Sequence, residues 1–382
     1  MLSRRSVIAG GATLSALSAN AQPIKHALGD STITDGIAKA LNAHACPGVS
    51  VALARAGTVI GAQGFGVANL ETQTAVSPRS IFHIGSLTKQ FTAAAIIKLA
   101  ALGKLDVRAA AASYLPAFKP LKPFTLLELM NHTAGLYSDE GGDPGSICAL
   151  PAKTQIQLAE DIARQSKPFD FEPGTAWLYS NANYVVLGAV IESIMGVPLD
   201  RAMAELIFKP LALTSLAIDQ PADVAAGRAS GYSLLQNQAS PFENAAYLDV
   251  SQAGGAGAMR GNATDLCLWH DALLSYRLFD RAHVNLMLTP GRLRNGRLSG
   301  TNRFSAEDAH YGDVEYACGL LISGPSEENA NILHYGVING FAAVLQTYTK
   351  KRVTFSVLCN ADIGPALPFR EVRKAVVSRY LA

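Results

Sequence analysis

Charge is scarce in this chain: only 16% of its 382 residues are Asp, Glu, Lys or Arg, and the net charge is +2. Two of the positive charges, Arg4 and Arg5, lie in a segment expected to be removed, so the mature side chains balance. Such a balance offers no electrostatic footprint for nucleic acid or for an anionic membrane surface. Cysteine is sparse as well. Cys46, Cys148, Cys267, Cys318 and Cys359 are scattered, odd in number and never spaced C-x-x-C, which points away from a disulfide framework or a zinc site and toward buried thiols. The eight histidines contain no H-E-x-x-H or comparable cluster, so no metal and no other cofactor is expected. No segment after the N-terminus reaches the length of a transmembrane helix. Internal repeats and low-complexity tracts are lacking, and so is G-x-S-x-G, the elbow of the α/β-hydrolases.

Apolar residues are plentiful at 49%, enough for a large core in one composite unit or two domains. Met1 to Ala21 carries the Arg4-Arg5 pair ahead of a short, small-residue apolar stretch ending Ala19-Asn20-Ala21. This predicts a twin-arginine export signal cleaved after Ala21, and a periplasmic or otherwise exported protein. Beyond it, Ile33 to His44 has helical periodicity, and Val49 to Ala54 and Val59 to Ala68 read as strands. The other end mirrors this, with strands at Ile332 to Leu333, Ala342 to Tyr348 and Arg352 to Cys359, then a helix over Phe369 to Tyr380. Between about Thr125 and Leu288 the pattern is mainly helical: Leu126 to Met130, Gln155 to Gln165, Asn183 to Met195, Pro198 to Ile207 and Thr264 to Ser275. At the last of these, Asn262 can cap, with Asp265 answering the cap's amide. A further strand is predicted at Ala317 to Ile322, and Gly- and Pro-rich loops at Asp139 to Ser146 and Gly291 to Gly300. The predicted fold is α+β: one antiparallel sheet from both chain ends, flanked by helices, with a mainly helical subdomain inserted. Residues 22–108 and 300–382 would form the α/β part and 109–299 the helical part of one catalytic domain, with the site in the cleft between them.

The chemistry gathers around Phe82-His83-Ile84-Gly85-Ser86-Leu87-Thr88-Lys89. Ser86 opens a run of helical period (Phe91, Ala94, Ala95, Leu99), so Lys89, three residues on, shares its face. An S-x-x-K alone is weak, equally a capped helix with a solvated lysine. Three other stretches make it specific: Tyr179-Ser180-Asn181, a Y-x-N found once; Asn131-His132-Thr133-Ala134-Gly135; and His334-Tyr335-Gly336-Val337, followed by Gly340-Phe341. His-x-Gly also occurs at His83 and His310, but only His334 has an apolar strand on either side. Tyr179 and Trp177 taken alone would be core aromatics, Lys98 and Lys104 solvated lysines, and His132 a structural group near the cleft.

With these motifs, and with Ala253-Gly254-Gly255 ahead of Asp265-Leu266 and Trp269, the chain resembles the serine beta-lactamase and penicillin-binding-protein-like hydrolases. That superfamily includes class C beta-lactamases, D-alanyl-D-alanine carboxypeptidases, D-aminopeptidases and related esterases. The resemblance runs from about Val49 to Asp362. It implies that Ser86 is the nucleophile of an acyl-enzyme, that either Lys89 or Tyr179 is the general base, with Lys89 holding down the pKa of the Tyr179 phenol, and that Asn181 donates a hydrogen bond to substrate or to Lys89. It implies an oxyanion hole of the Ser86 and Val337 amides, with Gly336 leaving room for a substrate bound beside His334. His334 stands where K-T-G members carry lysine, and an ordinary histidine is mostly neutral at pH 7. The expected substrate is therefore a small-molecule ester first, then an amide or D-peptide, then a beta-lactam. A penicillin-binding or sensing module without turnover is the rival from another class. No oligomeric state is legible in the sequence.

Overall fold

Both chain ends alternate inward and outward side chains, and the two sets of strands meet in one sheet. The computed structural model describes residues 28–29, 31–42, 46–137, 153–235, 241–306, 314–323, 330–362 and 367–381. The leader with its expected cleavage point after Ala21, the loop at 139–146, Cys148 and His310 lie outside them. In chain order the strands are β1 (Gly48–Arg55), β2 (Thr58–Asn69), β3 (Thr74–Ala75), β4 (Phe82–His83), β5 (Ala217–Ile218), β6 (Tyr232–Leu234) and β7 (Phe242–Asn244). They continue with β8 (Met259–Gly261), β9 (Glu315–Tyr316), β10 (Leu321–Ser323), β11 (Asn331–Ile338), β12 (Phe341–Tyr348) and β13 (Val353–Cys359). Among the described residues eight form an antiparallel sheet in the order β3-β2-β1-β13-β12-β11-β10-β9. The first and last strands join at its centre, where Val51 faces Val357.

Period-2 alternation gives this sheet two buried faces. Val49, Val51 and Leu53 with Val353, Phe355 and Val357 pack on α1 (Ser31–Asn42) and on α5 (Leu367–Val376), through Ile33, Ile37, Phe369 and Val372. Ala52, Ala54, Ala343, Leu345 and Leu358 point the other way, onto α2 (Thr88–Ala101) and α4 (Ala263–Leu274). Beyond them lies the mainly helical part, centred on α3 (Asn181–Met195). No single helix among the described residues is long and apolar enough to cross a membrane.

Several predicted elements shift. The strand at Ile332 to Leu333 runs on to Ile338 and includes the whole His-Tyr-Gly stretch. Of the strand predicted at Ala317 to Ile322, only Leu321 and Ile322 are strand, in β10; residues 317–320 form a tight turn from β9, closed by Ala317 N–H to Leu320 O (2.8 Å) with Gly319 at φ +74. Asn262 caps α4 by accepting from Asp265 N–H (2.8 Å), but no capping box forms. Ser215 intervenes, accepting from Asn262 N–H (3.1 Å) while its own N–H donates to Asp265 (2.8 Å). The middle region also contains short strands, and β8 pairs on one side with β5 and on the other with β4, directly before the nucleophile turn.

Candidate active site

Ser86 sits in a single 3-10 turn, Gly85–Leu87, that runs straight into α2. Gly85 has φ +49, the left-handed region glycine enters without penalty. A side chain there would begin 2.9 Å from Val337 N and 2.8 Å from Val337 O, and one at Gly336 would begin 2.0 Å from Ile84 O. The nucleophile turn and β11 therefore touch backbone to backbone, and two facing glycines make this possible. The Val337 backbone lies at this contact, beside the turn that carries Ser86, while Val337's side chain is half exposed. Thr88 Oγ1 ties the turn down, donating to Gly85 O (2.7 Å) and accepting from Met259 N–H of β8 (3.1 Å).

Lys89 is fully buried, and Nζ lies 3.0 Å from Ser86 Oγ, 2.8 Å from Asn181 Oδ1 and 2.8 Å from Ala256 O. All three partners are uncharged. Desolvation therefore drives the ammonium's pKa well below the usual lysine value. In the neutral amine two N–H bonds are engaged by carbonyl oxygens, which can only accept, and the lone pair is left for the Ser86 hydroxyl proton. The Ala256 carbonyl is delivered by the glycine turn noted in the sequence: Cβ atoms at Gly255 and Gly254 would lie 2.5 Å from Tyr184 O and 1.8 Å from Gln155 Oε1.

Tyr179 and Asn181 reach the lysine from the start of α3. The Lys89 ammonium position is 4.8 Å from the centroid of the Tyr179 ring and 5.7 Å from that of Tyr184. Asn181 accepts from Lys89 rather than donating to it. The residue itself is exposed. His132, expected to be merely structural, clamps Tyr179 on both sides. Its carbonyl accepts from Leu178 N–H (3.1 Å), its Nδ1 from Ser180 N–H (3.2 Å), and its ring lies 4.5 Å from the Tyr179 ring. Nδ1 also meets Asn183 Nδ2 at 3.0 Å. An Nδ1 that accepts keeps the ring neutral, and burial with Lys89 and His334 nearby lowers its pKa well below the usual value.

His334, the residue expected beside the substrate, lies on β11. It is 4% exposed, and both ring nitrogens are engaged inside the protein. Nδ1–H donates to the Tyr335 carbonyl (2.5 Å), leaving Nε2 to accept from the Tyr316 hydroxyl (3.0 Å). Burial, reinforced by Lys89, pushes its pKa down to about 3. Tyr316, on β9, had no signal in the sequence. Of the two other H-x-G histidines, His83 lies within the described residues; it pairs with buried Asp219 (2.7 Å) and packs on Phe341. Lys98 is no free cation either, since it donates to Leu278 O (2.8 Å).

A serine with a buried, carboxylate-free lysine one turn away, set against the backbone of a central sheet strand, defines a serine hydrolase of the beta-lactamase/transpeptidase-like fold. The chain belongs to the Beta-lactamase family, whose model matches residues 33–377. PbpX of Bacillus subtilis (strain 168) is 28% identical over 317 residues, 82% of this chain and 71% of that one. Two solved structures share the fold. The octameric penicillin-binding protein homologue from Pyrococcus abyssi has a TM-score of 0.76 and 20% identity, over 91% of this chain and 77% of that one. The D-amino acid amidase from Ochrobactrum anthropi SV3 has a TM-score of 0.74 and 20% identity, over 91% and 99%.

Proposed function

We propose that this protein is an exported hydrolase of neutral esters and amides that works through an acyl-enzyme on Ser86, with esters as the favoured substrates. The observation that carries this reading is His334: neutral, buried and with both nitrogens engaged, it offers no cation where K-T-G enzymes hold one for a substrate carboxylate. Lys89 takes the Ser86 proton as Oγ attacks the carbonyl carbon, and the Ser86 and Val337 amides receive the developing oxyanion. The ammonium so formed lies against the faces of Tyr179 and Tyr184, which stabilise a cation without a counter-ion. The proton then passes to the leaving atom, and the reverse sequence with water releases the acid. A second reading, hydrolysis of D-amino acid amides, is supported by the fold shared with the Ochrobactrum amidase and needs no carboxylate contact. The Arg4-Arg5 leader supports delivery to the periplasm by the twin-arginine route. The test is a panel of p-nitrophenyl butyrate, D-phenylalanine amide, a D-Ala-D-Ala peptide and a penicillin. Turnover of the first two, lost in Ser86→Ala, is expected; preference for the carboxylate-bearing pair would overturn the reading.

A further inference from the structure

A cavity of about 340 Å³ opens where β11 ends, walled by Ile338, Asn339, Leu248 and Val250 and floored by His83 and Arg228. Its size is at the lower end of ligand pockets. Ile338 lies two residues beyond Gly336 on the strand, hence on the face that meets the Ser86 turn. The cavity thus begins one residue past Val337, at the opposite end of the strand from His334. Tyr179 lies at the His334 end, the two ring centroids 6.3 Å apart. A leaving group must collect its proton from the Lys89–Tyr179 side, so it points toward His334. The acyl substituent then points the other way, into the cavity.

The floor decides what kind of substituent fits. Asp219, 1% exposed, is held as a carboxylate with a pKa of about 2, and accepts from His83 Nε2, Arg228 and Arg260 Nε (2.6 Å). Both guanidinium groups turn further to Asp223, Arg228 to its carbonyl (3.1 Å) and Arg260 to its carboxylate (3.1 Å). Two cations and two carboxylates cancel, and both guanidinium groups are held on Asp219 and Asp223 within the protein.

We propose that this cavity is the acyl-side pocket and that it selects a neutral, apolar group up to the size of an aromatic ring, rejecting an anionic one. The proposal rests on the acyl-enzyme reading of Ser86. It is tested by binding of three boronic acids, which place a substituent where the acyl group would sit and need no turnover. Benzylboronic acid should bind about ten-fold or more tighter than methylboronic acid, and 2-carboxyethylboronic acid no tighter than methyl. In Ala246→Trp, where an exposed residue at the cavity rim is enlarged, the benzyl-to-methyl ratio should collapse toward one. Equal binding of benzyl and methyl, preference for the carboxylate, or a benzyl advantage that survives in Ala246→Trp would each overturn the pocket assignment. Failure of all three to bind the folded wild-type protein would instead strike at the Ser86 reading on which it stands.

Discussion

Lys89 turns a surface-looking motif into chemistry. Its amine is surrounded by neutral oxygens, and burial pushes the pKa well down, so the deprotonated form becomes accessible at lower pH than for an ordinary lysine. Activity should therefore rise with pH along a limb whose midpoint lies below the ordinary lysine value near 10.4, then level off. His334, titrating at about 3, should contribute no inflection near 6.5. Lys89→Met should lower kcat by roughly 10²- to 10⁴-fold. A kcat/KM profile for a neutral ester checks all of this, and a bell centred on an ordinary histidine would contradict it. Ser86, Lys89, Tyr179 and Asn181 were legible in the sequence because their spacing is set by one helix face and one helix start. The Ala256 carbonyl, the Tyr316 hydroxyl and the clamp made by His132 were not. A backbone acceptor has no side-chain signature, and the other two act through contacts between residues 18 to 51 positions apart.

At the scale of elements, function depends on backbones that approach closely at glycines. The turn Gly254–Gly257 packs on α3 and presents Ala256 O to Lys89. In Gly255→Ala the new methyl would begin 2.5 Å from Tyr184 O, a backbone atom that cannot step aside. The variant should cost about 1–3 kcal/mol in stability and, by shifting the carbonyl, lower kcat at temperatures where it remains folded. Thermal melting paired with ester kinetics measures both, and an unchanged kcat would show that Ala256 O does not set the lysine's state. The glycine motif itself was visible in the sequence, but its role was not, because that role is the absence of a side chain against a partner 71 positions away.

For the whole molecule, the sheet built from both ends was readable from period-2 alternation, and its central pairing of first and last strands follows from it. The helical middle was readable in outline. Its short strands β5 and β8, and β4 just ahead of the nucleophile turn, were not, since two- and three-residue strands carry too little pattern to register. This architecture buries three histidines as neutral rings: His132, His334 and His270, the last between Gln90 and Thr347 and titrating at about 3. Unfolded, each would titrate near 6.5. Below that pH the unfolded chain binds protons the folded one refuses, so stability is full above about 6.5 and falls as the pH drops toward 3. Urea midpoints should decline between pH 7 and 4.5, before most carboxylates titrate; a flat response would mean these rings are not held neutral.

The central claim is a covalent bond at Ser86. Intact-mass measurement of the protein mixed rapidly with p-nitrophenyl butyrate should show a butyryl adduct that maps to the peptide containing Ser86, decays as the acid is released, and is missing in Ser86→Ala. An adduct on another residue, or turnover that persists in Ser86→Ala, would contradict the account.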